Sequence, residues 1–231
     1  MTTHEHNPHE YKKTLETASN RKEEDKPKTK ESNINWVIGG MLIVLAILAT
    51  VIVIKETFAV PAVYKYSNGD SEFEVRRITP TESQIEFYYG NNPKPFIMTI
   101  RYGPMDIETI KLEDKEIKKR IADDEIVYIT LDPKEELKGE AVLAGVEVGK
   151  FIGNKYFFNI PVKSGLTSDY ANNTIITCAN ATAKSTVIQI KKGKEAAIKT
   201  EGDCITIEGP TEVDMVKAAD RLALYLVGIM P

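Results

Sequence analysis

A chain of 231 residues with 30 Lys and Arg against 34 Asp and Glu has a formal net charge of −4. It lacks the basic footprint with which nucleic-acid binders neutralise phosphate, so no nucleic-acid partner is expected. All three histidines (His4, His6, His9) stand at the N-terminus, which leaves the remainder without the imidazoles that His-based triads and His-ligated metal sites need.

Residues 1–33 are polar, with acidic and basic groups in equal number and almost no large apolar side chains. Such a segment cannot bury enough surface to offset the entropy of ordering it, and a disordered tail with solvated histidines is expected. Residues 34–55 then read as a transmembrane helix. From Trp36 to Ile54 no residue is charged, and at about 1.5 Å per residue this run spans the roughly 30 Å of a bilayer's hydrocarbon core. The lipid bilayer is thus the expected partner of residues 36–54. Trp36 and Lys55 bracket the run as interfacial anchors. Gly39 and Gly40 lack GxxxG spacing and give no ground for a dimer.

Arg21, Lys22, Lys26, Lys28 and Lys30 precede the span, whereas only Lys55 and Lys65 follow closely. The positive-inside rule therefore puts the tail in the cytoplasm and the rest of the chain outside the cell membrane. No small-residue cleavage site follows the span, so it reads as an uncleaved signal anchor.

Residues 56–231 are long enough for one globular domain. The stretch 56–104 is mainly β, with period-2 runs at 72–78, 84–90 and 95–101 and turn residues at Ser67–Asp70 and Asn91–Pro93. From 105 to 231 the pattern becomes α/β. Leu112, Ile117 and Ile121 mark a short helix, and the nearly continuous apolar run 125–131 marks a strand covered on both faces. Asp132-Pro133-Lys134-Glu135 reads as a helix start, with Asp132 as cap and Glu135 closing a capping box. Residues 140–152 fit a helix with Val142, Val146 and Ile152 inward; alternation of Val142, Ala144, Val146 and Val148 also fits a strand, and the helix is favoured.

Further strands are expected at 155–162, 174–178, 186–191, 196–200 and 204–208, with Lys192-Gly193 as a turn. Thr211 and Asp214 open a terminal helix that runs to Gly228. Val213, Val216, Ala219, Ala223 and Leu226 line one face, widened by Leu222 and Val227; Asp220 and Arg221 read as a surface pair. The fold class is α/β, a mixed sheet with flanking helices and a β-rich N-terminal portion, preceded by one transmembrane helix.

Cys178 and Cys204 are the only cysteines. In an oxidising compartment they pair, closing a loop of about 25 residues. Two sequons, at Asn172 and Asn180, flank Cys178 and are candidate glycosylation sites. The runs IVYITLDP (126–133), IITCANATAKSTVIQI (175–190), CITIEG (204–209) and KAADRLALYLVGI (217–229) resemble uncharacterised archaeal membrane-anchored α/β proteins that pair a Cys-bearing strand with a terminal A-A-D-R helix. The resemblance covers the C-terminal half and implies architecture and an envelope location; it carries over no functional residue.

Candidate site residues are few. If the strands 125–131 and 155–162 run parallel, Asp132 and the group Lys163-Ser164-Gly165 fall near their carboxyl ends, where α/β sheets bind ligands. The simpler reading makes Asp132 a cap and 163–165 a turn. No S-x-x-K or G-x-S-x-G motif supports a nucleophile, and no cofactor or metal motif is present. Asp123-Asp124-Glu125 reads as a solvated turn rather than a calcium site. Three functions remain: a non-enzymatic envelope module binding a protein or glycan partner, which is favoured; an anchored hydrolase of envelope glycan or peptide; and a sensory or solute-binding domain. A pocket with two carboxylates about 5–9 Å apart would mark the hydrolase. An exposed apolar patch or unpaired strand edge would mark the binding module.

Overall fold

The computed structural model describes residues 34–58, 62–69, 71–90, 92–170 and 173–231. The expected tail 1–33 and the sequon residue Asn172 lie outside the described residues. Helix α1 (Ile34–Phe58) stands as a unit separate from the compact domain of residues 61–231. Its apolar side chains from Trp36 to Val53 are not packed inside the protein, and the helix is long and apolar enough to cross a membrane.

The domain opens with a four-stranded antiparallel meander: β1 (Val63–Asn68), β2 (Ser71–Thr79), β3 (Glu82–Phe87) and β4 (Phe96–Ile100). Period-2 alternation sorts its faces. Tyr64, Val75, Ile85 and Met98 stand in register and are buried, whereas Glu74, Glu86 and Ile97 form an exposed rank on the other side. A short helix α2 (Pro104–Ile107) follows, docked by a bidentate Arg77–Asp106 pair at 2.6 and 2.8 Å.

The second sheet contains β5 (Lys111–Leu112), β6 (Ile126–Leu131), β7 (Val162–Leu166), β8 (Ser185–Lys192), β9 (Ala197–Glu201) and β10 (Cys204–Gly209), in the order β5-β9-β10-β8-β6-β7. Strands β10, β8, β6 and β7 are mutually parallel; β9 runs antiparallel to β10. The β9–β10 hairpin turns on Gly202-Asp203, with Gly202 at φ +56°, a conformation that glycine adopts without a Cβ penalty. Helices α3 (Ile117–Ala122), α4 (Gly139–Ile152) and α5 (Glu212–Leu226) complete the domain.

Contacts from both sheets converge on α4 and α5, giving three layers: sheet, helices, sheet. On one side Gly145 and Gly149 let α4 approach Ile129 and Ile190. On the other, Lys150 donates to the Thr99 carbonyl, the Tyr102 N–H donates to Asp220, and Asn68 donates to the Gly228 carbonyl. Consequently α5 is buried nearly all round, with Met215, Leu222, Leu224 and Leu226 fully enclosed. Its cap is as the sequence predicts: Thr211 accepts from the Asp214 N–H at 3.2 Å.

Several expectations are corrected. Residues 155–160 form turns rather than a strand. Asn154 accepts from the Tyr156 N–H, Asn159 is left-handed at φ 56°, and Tyr156 and Phe157 pack on Phe96 instead of alternating across a sheet. The strand begins after Pro161 and extends to Leu166. Residues 174–178 make only a bridge from Ile175 to Leu166, and Cys178–Asn180 is a turn of 3₁₀ helix. Residues 139–152 are helical, but Val142 and Val146 point outward at 53% and 55% exposure; Ala141, Ala144, Val148 and Phe151 take the interior. Pro133–Glu135 is a single 3₁₀ turn, and Glu135 reaches the Lys192 N–H at 2.7 Å instead of closing a capping box.

Candidate functional site

The sheet-edge candidates do not converge. Strand β7 is the sheet's edge, and Lys163 and Ser164 lie within it, in register with Tyr128 and Ile129. As adjacent strand residues they point to opposite faces, which rules out a Ser–Lys nucleophile pair. Asp132 caps the turn after β6, accepting from the Lys134 N–H at 2.9 Å. Of the candidates, Ser164 and Gly165 line a cavity, a groove of ≈ 670 Å³ between α4 and β7, and Asp132 and Lys163 do not. Ile129, Leu131 and Val162 floor this groove, and the exposed Val142 and Val146 form its lip. Among the described residues Lys150 is its only ionisable lining group, and that ammonium is held by Glu147. No carboxylate among the described residues lines the groove.

A second concavity, ≈ 570 Å³, opens where α3 meets the aromatic turn after α4. Its wall is Tyr89, Phe157, Phe158 and Tyr225, and its rim is Lys115, Lys118 and Lys119. The helical period explains most of the rim: with Ile117 and Ile121 buried, positions 118, 119 and 122 share the outward face of α3, and Lys115 joins them from the turn that precedes the helix. Tyr89 and Phe157 meet edge-on with centroids 5.0 Å apart, and Phe157 also stacks on Phe87, so the wall is braced by the meander. The Tyr225 hydroxyl donates to the Lys115 carbonyl, fixing the start of α3. Lys118 lies 5.9 Å from the Tyr89 ring centroid, and burial lowers its ammonium from the usual lysine value. None of the three lysines makes an ion pair among the described residues; the neighbouring Arg120 instead takes Asp114 at 2.9 Å and Asp203 at 3.7 Å. The sequence signal was K-x-x-K-K opposite the Ile117/Ile121 stripe, but the aromatic half comes from distant segments.

Three acidic side chains are buried among the described residues: Glu147 on α4, Asp220 on α5 and Asp124 beside β8. Asp220, expected at the surface, is enclosed on α5 and accepts from the Tyr102 N–H at 2.7 Å. Burial and the nearby Glu147 raise its carboxyl well above the ordinary range, while Tyr102 and Lys150 oppose the rise. Arg221 is buried too, and its guanidinium reaches the Pro231 main-chain oxygen. Asp124 is likewise no solvated turn residue: it is buried and accepts from the Thr186 N–H at 3.2 Å, with burial raising its carboxyl. These groups sit in the packed interior rather than in either cavity.

Cys178 and Cys204 form the domain's disulfide, with Cα atoms 5.2 Å apart. It joins the start of β10 to the 3₁₀ turn rather than to a neighbouring strand, beside Ile176, Val187 and Tyr128. Asn180 is exposed two residues from the bridge, and its side-chain oxygen accepts from the Thr177 N–H at 2.9 Å. No family model, curated protein or solved structure matches the chain.

Proposed function

We propose that the chain is a single-pass membrane protein whose disulfide-stabilised C-terminal domain stands outside the cell membrane and binds an envelope component. The observation that carries this reading is the Cys178–Cys204 bridge in a domain tethered by an apolar helix, because disulfides persist in oxidising compartments. The excess of Lys and Arg before the span points to the same orientation. A binding role draws support from two open concavities, one with an exposed valine lip and the other with aromatic rings rimmed by lysines that make no ion pair among the described residues. Among the described residues no carboxylate lines either of these two, whereas a third concavity of ≈ 450 Å³ on the meander is lined by Glu72, Glu74 and Glu86. The resemblance to archaeal membrane-anchored proteins fits an envelope location.

The test is topology. With single cysteines introduced at Lys13 and Lys94 in a Cys178→Ser/Cys204→Ser background, a membrane-impermeant maleimide added to intact cells should label position 94 and spare position 13. Labelling of position 13 alone would reverse the orientation and end the reading.

A further inference from the structure

Resting on that extracytoplasmic binding role, we propose that the cleft formed by Lys115, Lys118, Lys119, Tyr89, Phe157, Phe158 and Tyr225 binds an anionic saccharide. The lysines would hold its carboxylate or phosphate groups, and the aromatic wall would pack on its sugar rings.

Three observations lead there. The first is charge without a partner. On a chain of net charge −4, three ammonium groups share one short stretch and none is neutralised by a described acidic side chain. The acidic neighbours that could have served them are turned elsewhere: Asp114 is committed to Arg120, and Glu116 is exposed outside the lining. Clustered like charges cost electrostatic energy that an incoming anion relieves. The partial desolvation of Lys118 works in the same direction, since an ammonium drawn out of water gains more from a counter-charge.

The second observation is the wall. Isolated basic patches attract any anion, but here the three lysines line one cleft with four aromatic rings, two of them tyrosines, and Lys118 lies 5.9 Å from the Tyr89 ring centroid. A ligand that satisfies both must carry charge and also offer a flat apolar face. The C–H face of a sugar ring with an acidic substituent does so; inorganic phosphate offers no such face. The third is shape: ≈ 570 Å³ lies within the range of about 300–1,000 Å³ typical of small-molecule sites, and the open mouth admits an internal segment of a longer chain.

Full-length protein in neutral detergent is titrated calorimetrically with oligogalacturonate, a phosphosugar, neutral malto-oligosaccharide, inorganic phosphate, anionic lipid vesicles and a single-stranded oligonucleotide. An acidic saccharide should bind, and the neutral one should not. Lys115→Gln/Lys118→Gln/Lys119→Gln should weaken binding by at least about tenfold and remove most of its salt dependence. Phe158→Ala, a ring outside the stacked cluster, should weaken it several-fold, while Lys94→Gln, away from the cleft, should change nothing. Melting curves show that each variant is folded. Equal binding of the neutral sugar, no binding of either acidic sugar, or wild-type affinity in the folded triple variant overturns the proposal. So does tighter binding of phosphate, vesicles or oligonucleotide than of the sugars. Because binding is read in vitro, its failure leaves the topology experiment untouched, and the reverse also holds.

Discussion

The two sheets use the same alternation of side chains to opposite ends. The four-stranded meander buries one face and leaves the other bare, with Glu74, Glu86 and Ile97 in water. The six-stranded sheet lays Ile129, Ile188 and Ile205 against the helices, while its outer face is partly roofed by the segment that the disulfide pins over Val187 and Tyr128. The difference teaches where stability is concentrated. It lies in the helical layer that both sheets share and in the cystine roof, and the meander's outer surface contributes little.

Three measurements can break or sharpen this contrast. The largest effect should come from Leu222→Asp, which places a carboxylate where no side-chain surface is exposed; urea unfolding should show a loss of more than about 4 kcal/mol. Ile97→Thr, at 67% exposure on the bare face, should stay within about 0.5 kcal/mol. Comparable losses for the two would mean that the meander's outer face is covered. Next, Cys178→Ala or reduction should cost about 2–4 kcal/mol, read as a lowered melting temperature, because the bridge closes a loop with a sequence separation of 26. An unchanged melting temperature would show that the roof holds without its covalent tie.

The smallest effect is a pH dependence. Asp220 has a raised native carboxyl, so the native state favours its protonated form. Its contribution is complete below the unfolded carboxylate value and is lost as pH rises through the native one. Asp220→Asn mimics the neutral form, and its stability should fall less than that of the parent as pH rises across that interval. Burial sets this response first, then Glu147 on α4, opposed by the Tyr102 N–H after β4 and by Lys150; Arg101 faces the site only through Glu147, 3.8 Å away. Parallel stability–pH curves for the two proteins would contradict it.

What could be read from the sequence follows from which signals are local. The apolar span, three of the four meander strands, the strand 126–131 and the Thr211 cap declared themselves through period and cap chemistry, and the cysteines through their number; β1, with its polar Lys65, Ser67 and Asn68, was not read as a strand. The misreadings each turn on packing partners distant in sequence. A helix enclosed on two sides is indistinguishable from a one-sided helix until a second sheet is known to cover it, so Asp220 and Arg221 looked like surface residues. For the same reason the outward stripe Val142/Val146 looked like a core face. The run 155–160 has the composition of a strand, but its aromatics serve a cluster with Phe87, Phe96 and Phe151, and no local pattern reveals that. The cleft was half legible, its lysines by spacing and its rings not at all.

The central position of α5 also bears on how the domain comes together. In sequence α5 follows both sheets, yet in space it lies between them. Tyr102 bonds to Asp220 across 118 residues, and Asn68 bonds to Gly228 across 160. Contacts of such separation demand loop closure before they return any stabilisation, which slows folding relative to locally connected folds. Until α5 arrives, each sheet presents an apolar face to water. Accordingly the domain should be most vulnerable to aggregation and proteolysis in the interval before this helix docks, and anything that delays docking should lengthen that interval.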